Sequence, residues 1–273
     1  MPTLDSPMQV SLVLQPGERI GVVGRSGAGK SSLFGAIFRL VEPESGRVML
    51  DGVDCGAIGL GALRAAVGII PQEPLLFSGT LRMNLDPSGG QSDGEIGRAL
   101  EVCGLGGRLR KLTGGQGLDW SLVAGGTNLS QGERQLMCLA RALLRKPRVL
   151  LLDEATATVD LATDEALQRA VKLEGAKIGW SMLTVAHRLQ TIMDYDRVAG
   201  MAGGQVVELD VPATLLQRAD SLLSLLVAEL HPQSQEQLRQ MAIAADKKQL
   251  GMLSWPGKKE KKPPAATTDA DAA

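Results

Sequence analysis

The chain has 273 residues, a net charge of −1 and 44% hydrophobic residues. That apolar content allows a full buried core and excludes a wholly disordered chain, while the near-neutral charge gives no global pull toward nucleic acid. No apolar run approaches the roughly 20 residues that a membrane-spanning helix needs, and the start Met1-Pro-Thr-Leu-Asp-Ser-Pro7 lacks the basic-then-apolar pattern of a secretory signal.

Taken in chain order, Arg19-Ile-Gly-Val-Val23 is a short apolar run between glycines and predicts a buried strand. Leu33, Phe34, Ile37, Phe38 and Leu40 then recur at near-helical spacing. The result is a strand, a glycine-rich loop and a helix. Arg47-Val-Met-Leu50 running into Asp51-Gly52 predicts a short strand entering a turn. Val67-Gly-Ile-Ile70 predicts another strand, closed by Pro71.

Beyond Glu73 glycines become dense, and Ile96, Leu100 and Cys103 fall at helical intervals. This predicts a mainly helical insertion, about 73–146, between the strand ending at Ile70 and the next at Val149. Within it Leu136, Leu139, Ala140, Leu143 and Leu144 follow the i, i+3, i+4, i+7, i+8 pattern, and Pro147 stops the helix. Val149–Leu152 and Leu183–Ala186 read as strands buried on both faces, as parallel sheets require. Arg197–Met201 and Gln205–Leu209 predict a late hairpin through Gly203-Gly204.

The main domain is placed at 1–230. After about Leu230 the chain turns polar, carries Lys258-Lys-Glu-Lys-Lys262 and Pro263-Pro264, and ends in Ala, Thr and Asp. That composition predicts a disordered tail over 231–273, its lysines solvated rather than seated on acidic lipid. Cys55, Cys103 and Cys138 are scattered, odd in number and without zinc or redox spacing. They are expected to be reduced thiols of a cytosolic protein, packed as small hydrophobes. No internal repeat is present.

Gly24-Arg25-Ser26-Gly27-Ala28-Gly29-Lys30-Ser31, followed by Ser32, matches G-x-x-x-x-G-K-[ST] without deviation. Glycines let backbone N–H groups curl around phosphate oxygens, and the following helix aims its positive end at the same charge. Lys30 is placed to reach the β- and γ-phosphates, and the Ser31 hydroxyl to ligate Mg²⁺. A capped glycine-rich turn is the plain alternative, and the position between a predicted strand and a predicted helix argues against it.

Val149–Asp153 ends a buried strand in a carboxylate, suited to a Mg²⁺ contact, and Glu154 follows directly. Adjacent carboxylates at such an edge can divide the work, one for metal and one to polarise water. Ser130 and Gly132 open the Leu136–Leu144 helix and form a potential anion site. Equally, Ser130 with Glu133 three residues on forms a capping box, and the two readings are compatible. Gln72, Asp160 and His187 each have an ordinary structural alternative and gain weight only as members of the set.

The set resembles the nucleotide-binding domain of ABC transporters over about residues 10–230. The resemblance implies an α/β fold: a P-loop NTPase core with a mainly parallel sheet and an inserted helical subdomain. In that frame Gly24–Ser31 corresponds to the Walker A loop, Gln72 to the Q-loop glutamine and Leu129–Glu133 to the signature. Val149–Asp153 corresponds to Walker B, Glu154 to the catalytic glutamate, Asp160 to the D-loop aspartate and His187 to the switch histidine. It implies ATP and Mg²⁺ as ligands, with Ser31, Gln72 and Asp153 toward the metal and Glu154, His187, Gln72 and Lys30 in the chemistry. It also implies a second nucleotide-binding domain, arranged head to tail, and transmembrane domains as partners, at the cytoplasmic face of a membrane.

Ile69–Pro87, Asp153-Glu-Ala-Thr-Ala157 and Ala186–Arg197 are similar to the multidrug-resistance-associated (C) subfamily of exporters. Glu154 after the Walker B aspartate is similar to the second cassette of that subfamily. The chain departs from the family pattern at Gln131 and Glu133, where Leu-Ser-Gly-Gly-Gln is usual. Glu133 adds negative charge one residue past Gly132, which is expected to oppose ATP closure unless the helix dipole absorbs it. No aromatic precedes Phe34, so the residue that stacks on adenine in the family is missing. With no transmembrane domain, the expectation is the C-terminal piece of a larger transporter, shortened at its N-terminus. An ATP-binding regulatory domain without turnover is the alternative.

Overall fold

The computed structural model describes residues 9–153, 160–186 and 188–253. Its elements run β1 (Arg19–Val23), α1 (Lys30–Ile37), β2 (Met49–Leu50), β3 (Val53–Asp54), α2 (Leu60–Ala66) and β4 (Val67–Ile70). Then follow β5 (Gly79–Thr80), α3 (Leu81–Leu85), α4 (Asp93–Val102), α5 (Gly106–Leu112), β6 (Ser121–Leu122) and α6 (Gln131–Arg145). The rest are β7 (Val149–Asp153), α7 (Leu161–Ile178), β8 (Ser181–Val185), β9 (Arg197–Ala202), β10 (Gln205–Asp210), α8 (Pro212–Leu215), α9 (Leu222–Ala228) and α10 (Pro232–Leu253).

The main sheet has six strands in the order β10-β9-β1-β8-β7-β4. All neighbours are parallel except the β9–β10 hairpin. Helices cover both faces, which is why the inner strands are aliphatic without alternation. On β7, Leu150 and Leu152 enter one core with Ile96, Leu100 and Met137, while Leu151 enters the other with Ile20, Phe34 and Leu63. Successive side chains of a strand point to opposite faces, so one apolar run feeds two cores.

Between β4 and β7 the chain is mainly helical. Ile96, Leu100 and Cys103 are all buried in the first core, and Ser92 with Glu95 forms a capping box that starts α4. α6 begins at a second capping box on Ser130 and ends at Lys146, in the left-handed region (φ 49°), just before Pro147.

The expected tail is corrected over its first part, because Pro232–Leu253 is a helix. Leu238 and Ala242, one turn apart, are buried against Ile192, Tyr195, Leu215, Leu223 and Val227. A helix needs only a narrow apolar stripe to dock, and two small contributors do not lift the mean composition of a polar segment.

Candidate nucleotide-binding site

β1 ends at Val23, and the chain turns at once into the Gly24–Ser31 loop. A Cβ on Gly24 would lie 2.3 Å from the Met201 carbonyl oxygen of β9, so only glycine fits there. The loop closes on itself through Ala28 N–H to Arg25 O at 3.1 Å, and Gly204 N–H of the β9–β10 turn donates to Ala28 O at 3.2 Å. Gly29 is the N-cap of α1 at φ 98° and brings no side chain to cap it. The first-turn amides of Lys30, Ser31 and Ser32 have no intrahelical acceptor, as in any helix. Lys30 Nζ sits inside the loop, donating to Gly24 O at 2.7 Å and Arg25 O at 3.1 Å. Converging amides, a helix N-terminus and an ammonium form a cradle for phosphate.

The sheet register sets the rest of the edge. Val22 of β1 and Asp153 of β7 both pair with Val185, from opposite sides of β8. Asp153 therefore lies level with the start of the loop, two strand spacings or roughly 10 Å away. On the far side of β7, Ile70 pairs with Leu152, which carries Pro71 and Gln72 to the same carboxyl edge. Gln72 is exposed and Asp153 half-buried. A hydroxyl (Ser31), a carboxylate (Asp153) and an amide oxygen (Gln72) are hard oxygen donors that suit Mg²⁺. No group of three or more His, Cys, Asp or Glu gathers for a metal among the described residues.

The signature stretch lies on other elements. α6 packs on α3, α4, α7 and β4, whereas the phosphate loop is built by β1, α1 and the β9–β10 turn. Ser130 Oγ accepts from Glu133 N–H at 3.2 Å, and Glu133 Oε2 accepts from Ser130 N–H at 2.7 Å. Glu133 Oε1 is ion-paired to Arg108 Nε of α5. The extra charge of Glu133 is thus answered locally, by the positive helix start and by Arg108. A Cβ on Gly132 would lie 2.8 Å from Thr163 Cγ2. Thr163 in turn donates its N–H to Asp160, the N-cap of α7, at 3.0 Å. The fold therefore brings together Gly132 and Asp160, two of the expected site residues.

Several residues that tie the site together had no local signal. Gln135, buried on α6, donates from Nε2 to Pro71 O at 2.8 Å and so ties the signature helix to the Gln72 loop. Arg141 Nη1 reaches Leu75 O at 2.6 Å in the same loop. Arg188 Nη1 donates to Asp164 Oδ2 at 2.7 Å. Glu154 and His187, expected to polarise water and to contact the γ-phosphate, lie outside the described residues.

The ABC transporter family profile matches residues 8–157. ATP-binding cassette sub-family C member 3 of Mus musculus is 50% identical over 209 residues, 76% of this chain and 13% of the mouse protein. ABC transporter C family member 9 of Arabidopsis thaliana is 47% identical over 213 residues, 78% of this chain and 14% of that protein. The chain thus spans only 13–14% of the length of these curated relatives. Among solved structures, a bacterial Atm1-family ABC exporter with ATP bound superposes with a TM-score of 0.74 and 32% identity, over 80% of this chain and 38% of that one.

Proposed function

The chain belongs to the ABC transporter family, with relatives in the C subfamily, and from that premise we propose that it binds Mg-ATP and hydrolyses it to drive export across a membrane. The observation that carries the reading is the shared carboxyl edge of β1, β7 and β4. There the Gly24–Ser31 loop and Asp153 are aligned by the pairing of Val22 and Asp153 with Val185, and Gln72 by the pairing of Ile70 with Leu152.

In this reading the loop and first-turn amides other than that of Ala28, which bonds Arg25 O, hold the phosphates together with the Lys30 ammonium. Ser31, Asp153 and Gln72 hold Mg²⁺, which would neutralise phosphate charge when bound. Glu154 orients the attacking water, and His187 contacts the γ-phosphate. Ser130 and Gly132 stand on elements that do not build this cradle, so they serve a second cassette, facing this one head to tail. The partner cassette then closes the present site with its own signature. Glu154 directly after Asp153 favours the second cassette of a C-subfamily transporter, with the non-identical first cassette as partner. Among the described residues no helix is long and apolar enough to cross a membrane. Transmembrane domains would be partners reached through the Gln72 loop, with this domain at the cytoplasmic face.

The test is steady-state Mg-ATP hydrolysis by the purified chain over a wide protein concentration range, with Glu154→Gln as the blank. Turnover that rises faster than linearly with concentration and vanishes in the variant is the expected result. Mg-ATP binding with no Glu154-dependent turnover at any concentration would leave a binding domain without hydrolysis.

A further inference from the structure

The first turn of α7 touches two parts of the molecule at once. Gly132, at the start of α6, packs so closely on Thr163 that an added Cβ would lie 2.8 Å from its Cγ2 and 2.9 Å from its Oγ1. The same Oγ1 donates to Asp160 Oδ2 at 2.7 Å. The next residue, Asp164, is buried, and its Oδ2 accepts from Arg188 Nη1 at 2.7 Å. Arg188 opens the segment after β8 and adjoins His187 in sequence. Two consecutive residues of one helix therefore hold the signature terminus on one side and the Arg188 segment on the other.

Both contacts are of kinds that transmit displacement. The Gly132–Thr163 contact has no spare room, and packed interiors shift between discrete arrangements rather than yielding smoothly. The Asp164–Arg188 pair sets a buried carboxylate against a partly buried guanidinium, so moving one without the other leaves a buried charge unpaired. Thr163 and Asp164 are consecutive residues of α7, so a single planar peptide unit joins the two contacts.

We propose that Thr163 and Asp164 form a positioning junction, holding the Ser130–Gly132 terminus of α6 and the Arg188 segment to each other so that a displacement of either is felt at the other. Its functional consequence rests on the two-cassette reading above. Ser130 and Gly132 would close on the partner's nucleotide, while the Arg188 segment borders this chain's own site. The junction then couples the two sites through this chain.

The test is amide hydrogen exchange on the full, nucleotide-free chain, read at residues 129–136 and 186–192, with residues 222–228 as internal control. Because it needs no nucleotide, it is decided whether or not the chain hydrolyses ATP. Gly132→Ala is expected to raise exchange at 186–192 by about fivefold or more, the lower end of ordinary site-to-site coupling. Adding Thr163→Ala removes the two closest clashing atoms and is expected to restore the level of Thr163→Ala alone. In an Asp164→Asn background, Gly132→Ala should no longer change 186–192. A response confined to 129–136, or one that Thr163→Ala does not reverse, overturns the proposal. If Gly132→Ala raises exchange at the control residues too, the reverse experiment decides. Arg188→Gln must then raise exchange at 129–136, and no change there refutes the junction.

Discussion

Glu133 Oε2 accepts the backbone N–H of Ser130 at 2.7 Å, while Ser130 Oγ accepts the backbone N–H of Glu133 at 3.2 Å. The residue that departs from the family's usual glutamine is thus one half of a reciprocal cap, and its second oxygen, with no hydrogen bond among the described residues, is ion-paired to Arg108. Two orphan donors of α6 are satisfied by one exchange. The negative charge also lies at the positive end of the helix, where it is stabilising.

Glu133→Ala should therefore lower stability by about 1 kcal/mol, the ordinary worth of a cap. Glu133→Gln keeps an oxygen for Ser130 N–H and should lose less. Urea unfolding midpoints of the two variants decide this, and equal losses would show that the cap is not what Glu133 supplies.

Gly24 and Gly27 should respond differently to alanine. At Gly24 the new Cβ would meet the Met201 carbonyl at 2.3 Å. Backbone must move, at about 1–3 kcal/mol. Gly27, at φ 81°, has open space around it, so Gly27→Ala carries only the left-handed backbone cost of about 1–2 kcal/mol. Fluorescent-nucleotide titration should show binding lost in Gly24→Ala and retained, though weakened, in Gly27→Ala.

Lys30 has two loop carbonyls as its hydrogen-bond partners, Gly24 O and Arg25 O. Lys30→Ala loses both loop hydrogen bonds and should lower stability by about 1–2 kcal/mol, without unfolding the chain. ATP affinity should fall by about tenfold or more with the loss of a charge-assisted contact worth about 1.5–3 kcal/mol. Calorimetric titration of the variant with Mg-ATP reads this directly.

Leu238 of α10 is 1% exposed. Leu238→Ala should cost about 2–5 kcal/mol, the range for a buried leucine, and a chain cut after Leu230 should expose Ile192, Tyr195 and Val227. Thermal unfolding of both variants is the measurement. Wild-type stability in the cut chain would mean that α10 does not dock.

All three thiols are buried, and burial raises each, with Cys103 pushed up to about 12. At pH 8 Cys103 therefore stays in the unreactive thiol form. The native chain should resist a thiol reagent that labels all three once it is unfolded. The sign for stability follows from the same shift. The folded state keeps protons that the unfolded thiols release, so stability should fall as pH rises from about 8.5 toward 12. Cys103→Ala should flatten that alkaline decline, measured by unfolding at pH 8 and pH 10.5.

Much of the molecule was legible because its signals are local. The loop from Gly24 to Ser31 carries its own glycines, lysine and following helix, and Val149–Asp153 carries its own aliphatic run. The α6 helix announces its start at Ser130 and its stop before Pro147. α10 was not legible, since its docking stripe is too narrow to stand out in a polar segment, and of α7 only the start was legible, as a helix-start acid at Asp160, its N-cap, with no span.

The chain alone determined the glycine loop from Gly24 to Ser31, the strand that ends in Asp153 and the capping pair of Ser130 and Glu133, because each is written within a few consecutive residues. Only the tertiary structure set Asp153 level with Val22 across Val185, since register depends on which strand lies between. Only it brought Gln135 to Pro71, 64 residues away, and Arg188 to Asp164, 24 residues away. It also pressed Gly132 against Thr163. Those pairings come from how helices pack on a shared sheet, and neither composition nor periodicity carries that information.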